Sequence, residues 1–256
     1  MKKKFKNALI TGAGKRIGSE IAYSLCSDGW NVVLHYNTSK SSTLKLAKKL
    51  TEKFENKVIC LKANLSDYNE IKKLFIQIDK KFGTLSCLIN NAAAFEYDSL
   101  QSTNLRKWDL HMNTNIRAPL FLSQLFAKRI SKKFKANIIN IIDQRVLNLT
   151  PHFMTYTISK AALWTLTQTL ALSLAPNIRV NAIGPGPTIK SKRQTKKEFI
   201  EQCKRMPLEQ GASPKEISQI LKTILETPSM TGQIIALDGG QHLGWSQSNN
   251  KNFHED

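Results

Sequence analysis

The stretch Ala8-Leu9-Ile10-Thr11-Gly12-Ala13-Gly14-Lys15-Arg16-Ile17-Gly18 decides the fold. A short apolar strand runs into a glycine-rich turn, and the turn opens a helix with Ile17, Ile21, Ala22 and Leu25 on one face. Strand, glycine turn and helix in that order form the context of a dinucleotide-binding motif. Gly12 permits the tight turn, Gly14 lets backbone approach a pyrophosphate, and Gly18 lets helix and sheet pack closely. Free amides at the helix start, with the positive end of its dipole, suit a phosphate. The bland alternative is an ordinary strand-to-helix turn.

The end of the second strand, Asn31-Val32-Val33-Leu34-His35-Tyr36, indicates which nucleotide. A site for NAD places Asp or Glu there to accept from the ribose 2′-hydroxyl. This chain continues Asn37, Thr38, Ser39, Lys40, with no acid between Gly29 and Leu50. A carboxylate would repel a 2′-phosphate, whereas hydroxyls, an amide and a lysine attract it, and Arg16 adds a further phosphate-directed charge. NADPH is therefore the expected coenzyme, with Lys40 as a plain solvated lysine the alternative.

Tyr156 and Lys160 stand four residues apart at the head of an apolar helical stretch, so phenol and ammonium share a helix face. A nearby cation stabilises tyrosinate and lowers the phenol pKa, which makes the hydroxyl a usable proton donor or acceptor. Alone the pair is a weak signal; beside the glycine turn it is a candidate catalytic pair.

Composition bounds the rest. A chain of 256 residues is long enough for one α/β domain with a large core. The net charge of +19 invites a nucleic-acid reading, but lysine is scattered along the chain, and runs such as Lys132-Lys133 and Lys196-Lys197 carry no interleaved aromatics. A solvated basic surface without a specific nucleic-acid partner is expected. Cys26, Cys60, Cys87 and Cys203 form no Cys-x-x-Cys pair and no metal-ligand spacing, which predicts reduced thiols, no metal and a cytoplasmic protein. The apolar run behind Lys2-Lys3-Lys4 breaks at Thr11-Gly12, too soon for an export signal, and no run approaches the roughly 20 apolar residues of a membrane span.

Strands and helices alternate. Strands are expected at Val58 to Ala63, Leu85 to Ile89, Ile138 to Ile142, Ile178 to Ile183 and Gln233 to Leu237. Helices are expected near Ser42 to Phe54, through Ile71 to Phe82, from Leu105 on as one long helix past Asn115 to Ile130, at Tyr156, and over Pro214 to Leu225. Residues 1–245 read as one domain, and the polar stretch 246–256 reads as a disordered tail.

These marks together resemble the short-chain dehydrogenase/reductase family over nearly the whole chain. The matches are collinear: the Thr11-to-Gly18 turn, Asn90-Asn91-Ala92 after the fourth strand, Asn115, Tyr156 with Lys160, Pro185-Gly186, and Asp238-Gly239-Gly240. The resemblance implies a single Rossmann-like α/β fold, a doubly wound parallel sheet with helices on both faces, usually assembled as a homotetramer. It makes Tyr156 the catalytic acid, gives Lys160 the nicotinamide ribose, and lets Asn115 hold a water linking Lys160 to solvent. Coenzyme contacts would come from Gly12, Gly14, Lys15, Arg16, Ile17, Gly18, His35, Tyr36, Asn37, Thr38, Ser39, Asn64, Leu65, Asn91, Ala92, Pro185, Gly186 and Thr188. Thr188 to Met206 would be the substrate loop, and Gln241 to Trp245 would pack an interface, with reaching a neighbouring subunit's site the alternative.

One position departs from the usual family pattern. Thirteen residues before Tyr156, where a serine is usual, stands Asp143. A carboxylate accepts where a hydroxyl donates, and it opposes tyrosinate, so alcohol oxidation is disfavoured and a substrate with ring N–H groups is favoured. Asp there resembles the pteridine reductases and dihydromonapterin reductases of the family, as do Lys15-Arg16 and His35-Tyr36. Phe95 falls where those enzymes stack a ring on the pterin. Against this, Ala93 and Ala94 stand where that branch carries serines. Three alternatives remain: Asp143 as a loop acid turned away, Phe95 as a core anchor, and a general carbonyl reductase of 3-oxoacyl thioesters. A non-catalytic basic nucleic-acid-binding protein of the same fold is a further one.

Overall fold

The computed structural model describes residues 6–191 and 193–244. Trp245 and the tail 246–256 lie outside the described residues. Among the described residues, seven strands form one sheet: β1 (Asn7–Ile10), β2 (Asn31–Tyr36), β3 (Val58–Lys62), β4 (Cys87–Asn90), β5 (Ala136–Ile141), β6 (Ile178–Pro185) and β7 (Ile234–Leu237). Their order is β3-β2-β1-β4-β5-β6-β7, and every neighbouring pair is parallel.

The strands are buried on both faces, which is why they read as apolar runs rather than alternations. Leu9, Val33, Leu88, Ile138 and Val180 face one layer of helices. That layer comprises α3 (Tyr68–Lys81), α5 (Ala118–Ala127) and the long α6 (Met154–Leu174), which supply Ile71, Phe75, Leu122, Phe126 and Ala171. Their chain neighbours Ala8, Ile10, Val32, Leu34, Ile89 and Ile139 face the other layer. There α1 (Arg16–Ser27), α2 (Lys40–Lys53) and α8 (Pro214–Glu226) bring Ile21, Leu25, Leu50, Ile217 and Leu221. The doubly wound architecture expected from the alternation is what the chain adopts.

Sequence order reverses direction between β1 and β4. Helical connections leave these two strands on opposite sides, so a crevice opens at their carboxyl ends. The glycine turn follows β1 and the Asn91–Phe95 loop follows β4, so both line that crevice.

Two expectations need correcting. The long helix from Leu105 is three segments: α4 (Leu105–Met112), a π-helical turn at Asn113–Arg117, and α5. Such a one-residue excess re-aims side chains and is frequent at functional sites. The polar stretch after β6 is not all loop, since it holds α7 (Lys196–Lys204). Its signal was present as Thr195-Lys196-Lys197-Glu198: the Thr195 hydroxyl accepts from the Glu198 amide and the Glu198 carboxylate accepts from the Thr195 amide. Because α7 buries none of its residues, apolar periodicity could not reveal it.

His35 holds the glycine turn in place. Its Nδ1 accepts from the Gly12 amide at 3.2 Å, its Nε2 faces the Ala63 carbonyl at 3.0 Å, and its own carbonyl accepts from Ala13. That arrangement needs a neutral ring, and burial lowers the His35 pKa from 6.5 to about 4. The unfolded chain therefore binds a proton near pH 6.5 that the native state refuses until about pH 4, so stability falls as pH drops across that window. Denaturant titrations should show a loss of about 3 kcal/mol from this group between neutral pH and pH 4. His35→Gln should be less stable at neutral pH and lack that component; an unchanged acid slope would contradict the assignment.

Candidate active site

The coenzyme side of the crevice is built from backbone. Gly12 has φ +63°, a left-handed conformation that a side chain disfavours. A Cβ on Gly14 would lie 2.2 Å from the Thr43 hydroxyl and 2.9 Å from that of Ser39, so the turn packs closely on the start of α2. The space at the Gly14 Cβ position is filled by the chain's own hydroxyls. Thr11 secures the other side: its hydroxyl accepts from the amides of Asn91 and Ala92, and the Asn91 amide group donates to the Thr11 and Gly12 carbonyls.

The residues fit a phosphorylated dinucleotide. Lys15, the residue preceding α1, makes no side-chain cap, and neither does Ser39 preceding α2; neither helix carries an acid in its first turn. Two helix starts thus keep uncapped amides and positive dipole ends beside the turn and beside the end of β2. Asn37, Thr38 and Lys40 are exposed there, Ser39 and Ile17 are half-buried, and Gly18 is buried. Asn64 and Leu65 follow β3, where the Asn64 amide donates to the Glu70 carboxylate at 2.5 Å. Across the crevice, Pro185 ends β6 and Gly186 follows it; a Cβ on Gly186 would lie 2.6 Å from that of Asp238, and Thr188 donates to the Gly186 carbonyl.

Three of the residues expected at the coenzyme make contacts within the protein. His35 and Tyr36 are buried; the His35 ring braces the turn through the Gly12 amide, and the Tyr36 carbonyl accepts from the Ala63 amide. The Arg16 guanidinium donates to the carbonyls of Ile189 and Lys190 at 2.7 and 3.0 Å, which ties the glycine turn to the segment after β6.

The chemistry gathers where β5 ends against α6. Asp143 follows β5; its Oδ1 accepts from the Arg145 amide at 2.9 Å, capping the 3-10 turn Gln144–Val146, and its Oδ2 accepts from the Tyr156 hydroxyl at 2.9 Å. One carboxylate oxygen is thus held by backbone while the other meets the phenol. Lys160, one helical turn beyond Tyr156, is 2 % exposed and donates to the Ile141 carbonyl at 2.8 Å. Burial lowers its pKa to about 8, partly opposed by Asp143.

The expected lowering of the tyrosine pKa does not occur in this state. Burial, then the Asp143 charge and the hydrogen bond to it, raise Tyr156 well above its usual value, with Arg145 opposing weakly. The Lys160 nitrogen lies 5.7 Å from the phenol ring centroid. At neutral pH Tyr156 is a protonated donor, a form suited to giving a proton to a substrate.

Asn115 is held by partners within the protein. The π-turn buries it, and its amide group donates to the Ala94 carbonyl and the Ser159 hydroxyl while its oxygen accepts from the Ala94 amide. The side chain pins the Phe95 loop to α6, which leaves its amide committed to protein partners.

Phe95 is 42 % exposed at the crevice mouth. It stacks on Phe153 with centroids 4.7 Å apart and planes 5° from parallel, and meets Tyr156 edge-on at 4.7 Å. The Arg145 guanidinium lies 4.8 Å from the Phe153 ring centre, so cation, ring and ring form a layered wall. Phe153, Arg145, Asp98, His111 and Thr155 were not singled out in the sequence. A Met or Phe before a helix carries no motif, and nothing local announces that Asp98 and His111 are fully buried. Among the described residues, no cluster of His, Cys, Asp and Glu could hold a metal ion, and no helix is long and apolar enough to cross a membrane.

Comparison with known proteins agrees with this geometry. The model of the short chain dehydrogenase family matches residues 6–200. The FolM alternative dihydrofolate reductase 1 from Brucella suis, solved in complex with NADP, is 37 % identical with a TM-score of 0.91, over 95 % of this chain and 97 % of that one. The 3-oxoacyl-[acyl-carrier-protein] reductase FabG of Thermotoga maritima is 29 % identical over 240 residues, 92 % of this chain and 97 % of the relative. A short-chain type dehydrogenase/reductase of Picea abies is 27 % identical over 247 residues, 91 % of each chain. With the family model covering most of its length, this chain belongs to the short-chain dehydrogenase family of oxidoreductases.

Proposed function

We propose that the chain is an NADPH-dependent reductase of a pteridine-type substrate, a dihydropterin such as dihydromonapterin or dihydrobiopterin, or dihydrofolate. The observation that carries this reading is the Asp143 carboxylate accepting from the Tyr156 hydroxyl at the crevice. A carboxylate there matches a substrate that brings N–H donors; the usual hydroxyl matches a carbonyl oxygen. The 37 % identity to a protein named as an alternative dihydrofolate reductase supports the same choice. The absence of acid beside the uncapped start of α2 supports the 2′-phosphorylated coenzyme.

A reduced nicotinamide bound in the crevice supplies hydride to a carbon of the C=N bond. Substrate N–H groups would satisfy Asp143 and free the Tyr156 hydroxyl to donate its proton to nitrogen. Lys160 then stabilises the resulting tyrosinate and holds ribose hydroxyls, while Phe95 offers a flat apolar face to the ring. The basic surface remains a solvated one in this reading, and the protein cytoplasmic.

The second reading, reduction of a 3-oxoacyl thioester, is favoured by the FabG relatives. NADPH oxidation assays separate the two: turnover of dihydromonapterin, dihydrobiopterin or dihydrofolate is expected, and activity confined to acetoacetyl thioester would reverse the choice. Tyr156→Phe should lower kcat by about a hundredfold or more at unchanged NADPH affinity.

Because burial sets the Lys160 pKa at about 8, kcat/KM should fall as pH rises through that value and the ammonium is lost. A profile flat well past it would show that the charge is not needed.

Assembly as a homotetramer belongs to the same proposal. Leu105 and Trp108 on α4, with Ile158 and Leu172 on α6, are 80, 42, 44 and 84 % exposed in the single chain. Sedimentation should give four times the monomer mass of 28.9 kDa, and a monomer at micromolar concentration would contradict it.

A further inference from the structure

Helix α6 does not cap itself. Its N-cap residue, Phe153, has φ +55° and offers no side-chain acceptor. The orphan amides go instead to Asp98, on the loop after β4: Phe153 and Met154 donate to its carbonyl, and Thr155 donates to its carboxylate. The Thr155 hydroxyl donates to the same carboxylate and accepts from His111 Nδ1 on α4 at 2.7 Å. His111 Nε2 in turn accepts from the Glu96 amide, so the ring is neutral with its proton on Nδ1. Burial lowers the His111 pKa and keeps it so. Asp98 and His111 are 0 % exposed, and Thr155 is 2 % exposed. The His111 ring also packs against that of Tyr156, with centroids 5.8 Å apart.

We propose that Asp98, Thr155 and His111 form a positioning network that sets the Tyr156 hydroxyl on Asp143 and aligns the Phe95–Phe153 pair beside it. None of the three reaches the reacting atoms; Thr155 acts through the backbone it shares with Tyr156. Asp98 fixes the origin of α6, and the phenol projects from its first turn, so a tilt there moves the hydroxyl away from Asp143. Phe95 and Asp98 lie on one loop, which ties the substrate-facing ring to the same anchor. A shift of about 1 Å in such an arrangement is enough to cost on the order of a hundredfold in rate. The inference rests on the reductase reading only in taking Tyr156 as the proton donor, and it assumes no particular substrate.

The test is T155V, which keeps shape and removes the hydroxyl, beside T155S, which restores it, and H111F, which keeps a ring against Tyr156. Single-turnover hydride transfer and NADPH affinity are measured on each, with thermal melting as control. T155V and H111F should lower the hydride-transfer rate tenfold or more, on the order of what misplacement costs, with NADPH affinity unchanged and T155S near wild type. The T155V/H111F double variant should be no slower than the slower single variant, because the residues act as a unit. Wild-type rates in folded T155V, or a loss that serine does not restore, would overturn the proposal. If the wild type reduces neither pterin nor thioester, the substrate reading fails, and crystal structures of T155V and D98N decide this one. Tyr156 displaced from Asp143 supports it; an unmoved 2.9 Å contact with Phe95 still stacked overturns it.

Discussion

The hydrogen bond from Tyr156 to Asp143 is the constraint around which this molecule is organised. It brings a proton donor and a carboxylate together at the carboxyl end of a buried parallel strand, beside a buried lysine. Each partner is held from its own side. Asp143 is oriented by the amide of Arg145, and Lys160 by the last carbonyl of β5. The tyrosine is carried by a helix whose start is fixed from another loop.

Electrostatics and geometry divide the work. Desolvation alone would disfavour both the lysine ammonium and the tyrosinate. The Asp143 charge then acts in opposite directions on the two, supporting the ammonium and opposing the tyrosinate. The resting state is therefore one in which both Tyr156 and, below about pH 8, Lys160 hold their protons. That direction suits reduction, where the protein must deliver a proton. It suits alcohol oxidation poorly, because that requires the phenolate at the outset.

On the coenzyme side the same economy of means recurs with backbone rather than side chains. His35, Thr11 and Asn91 clamp the glycine turn through its amides and carbonyls, which leaves the starts of α1 and α2 with unfilled donors. Arg16 links this region to the segment after β6, so the two walls of the crevice are joined by one guanidinium.

The sequence by itself determined the α/β class, the alternation of strands and helices, the glycine turn, the Tyr156–Lys160 pair and the exceptional Asp143. All of these are local: periodicity, turn chemistry and residue spacing are set by neighbours along the chain. Tertiary structure decided what depends on segments distant in sequence. It raised the Tyr156 pKa where spacing alone suggested lowering, because burial and Asp143 outweigh a lysine that points elsewhere. It engaged Asn115 and His35 in hydrogen bonds within the protein, placed a π-turn where periodicity read one helix, and buried Asp98 and His111 under α6. Burial and charge proximity are properties of the packed chain, and no window of sequence contains them.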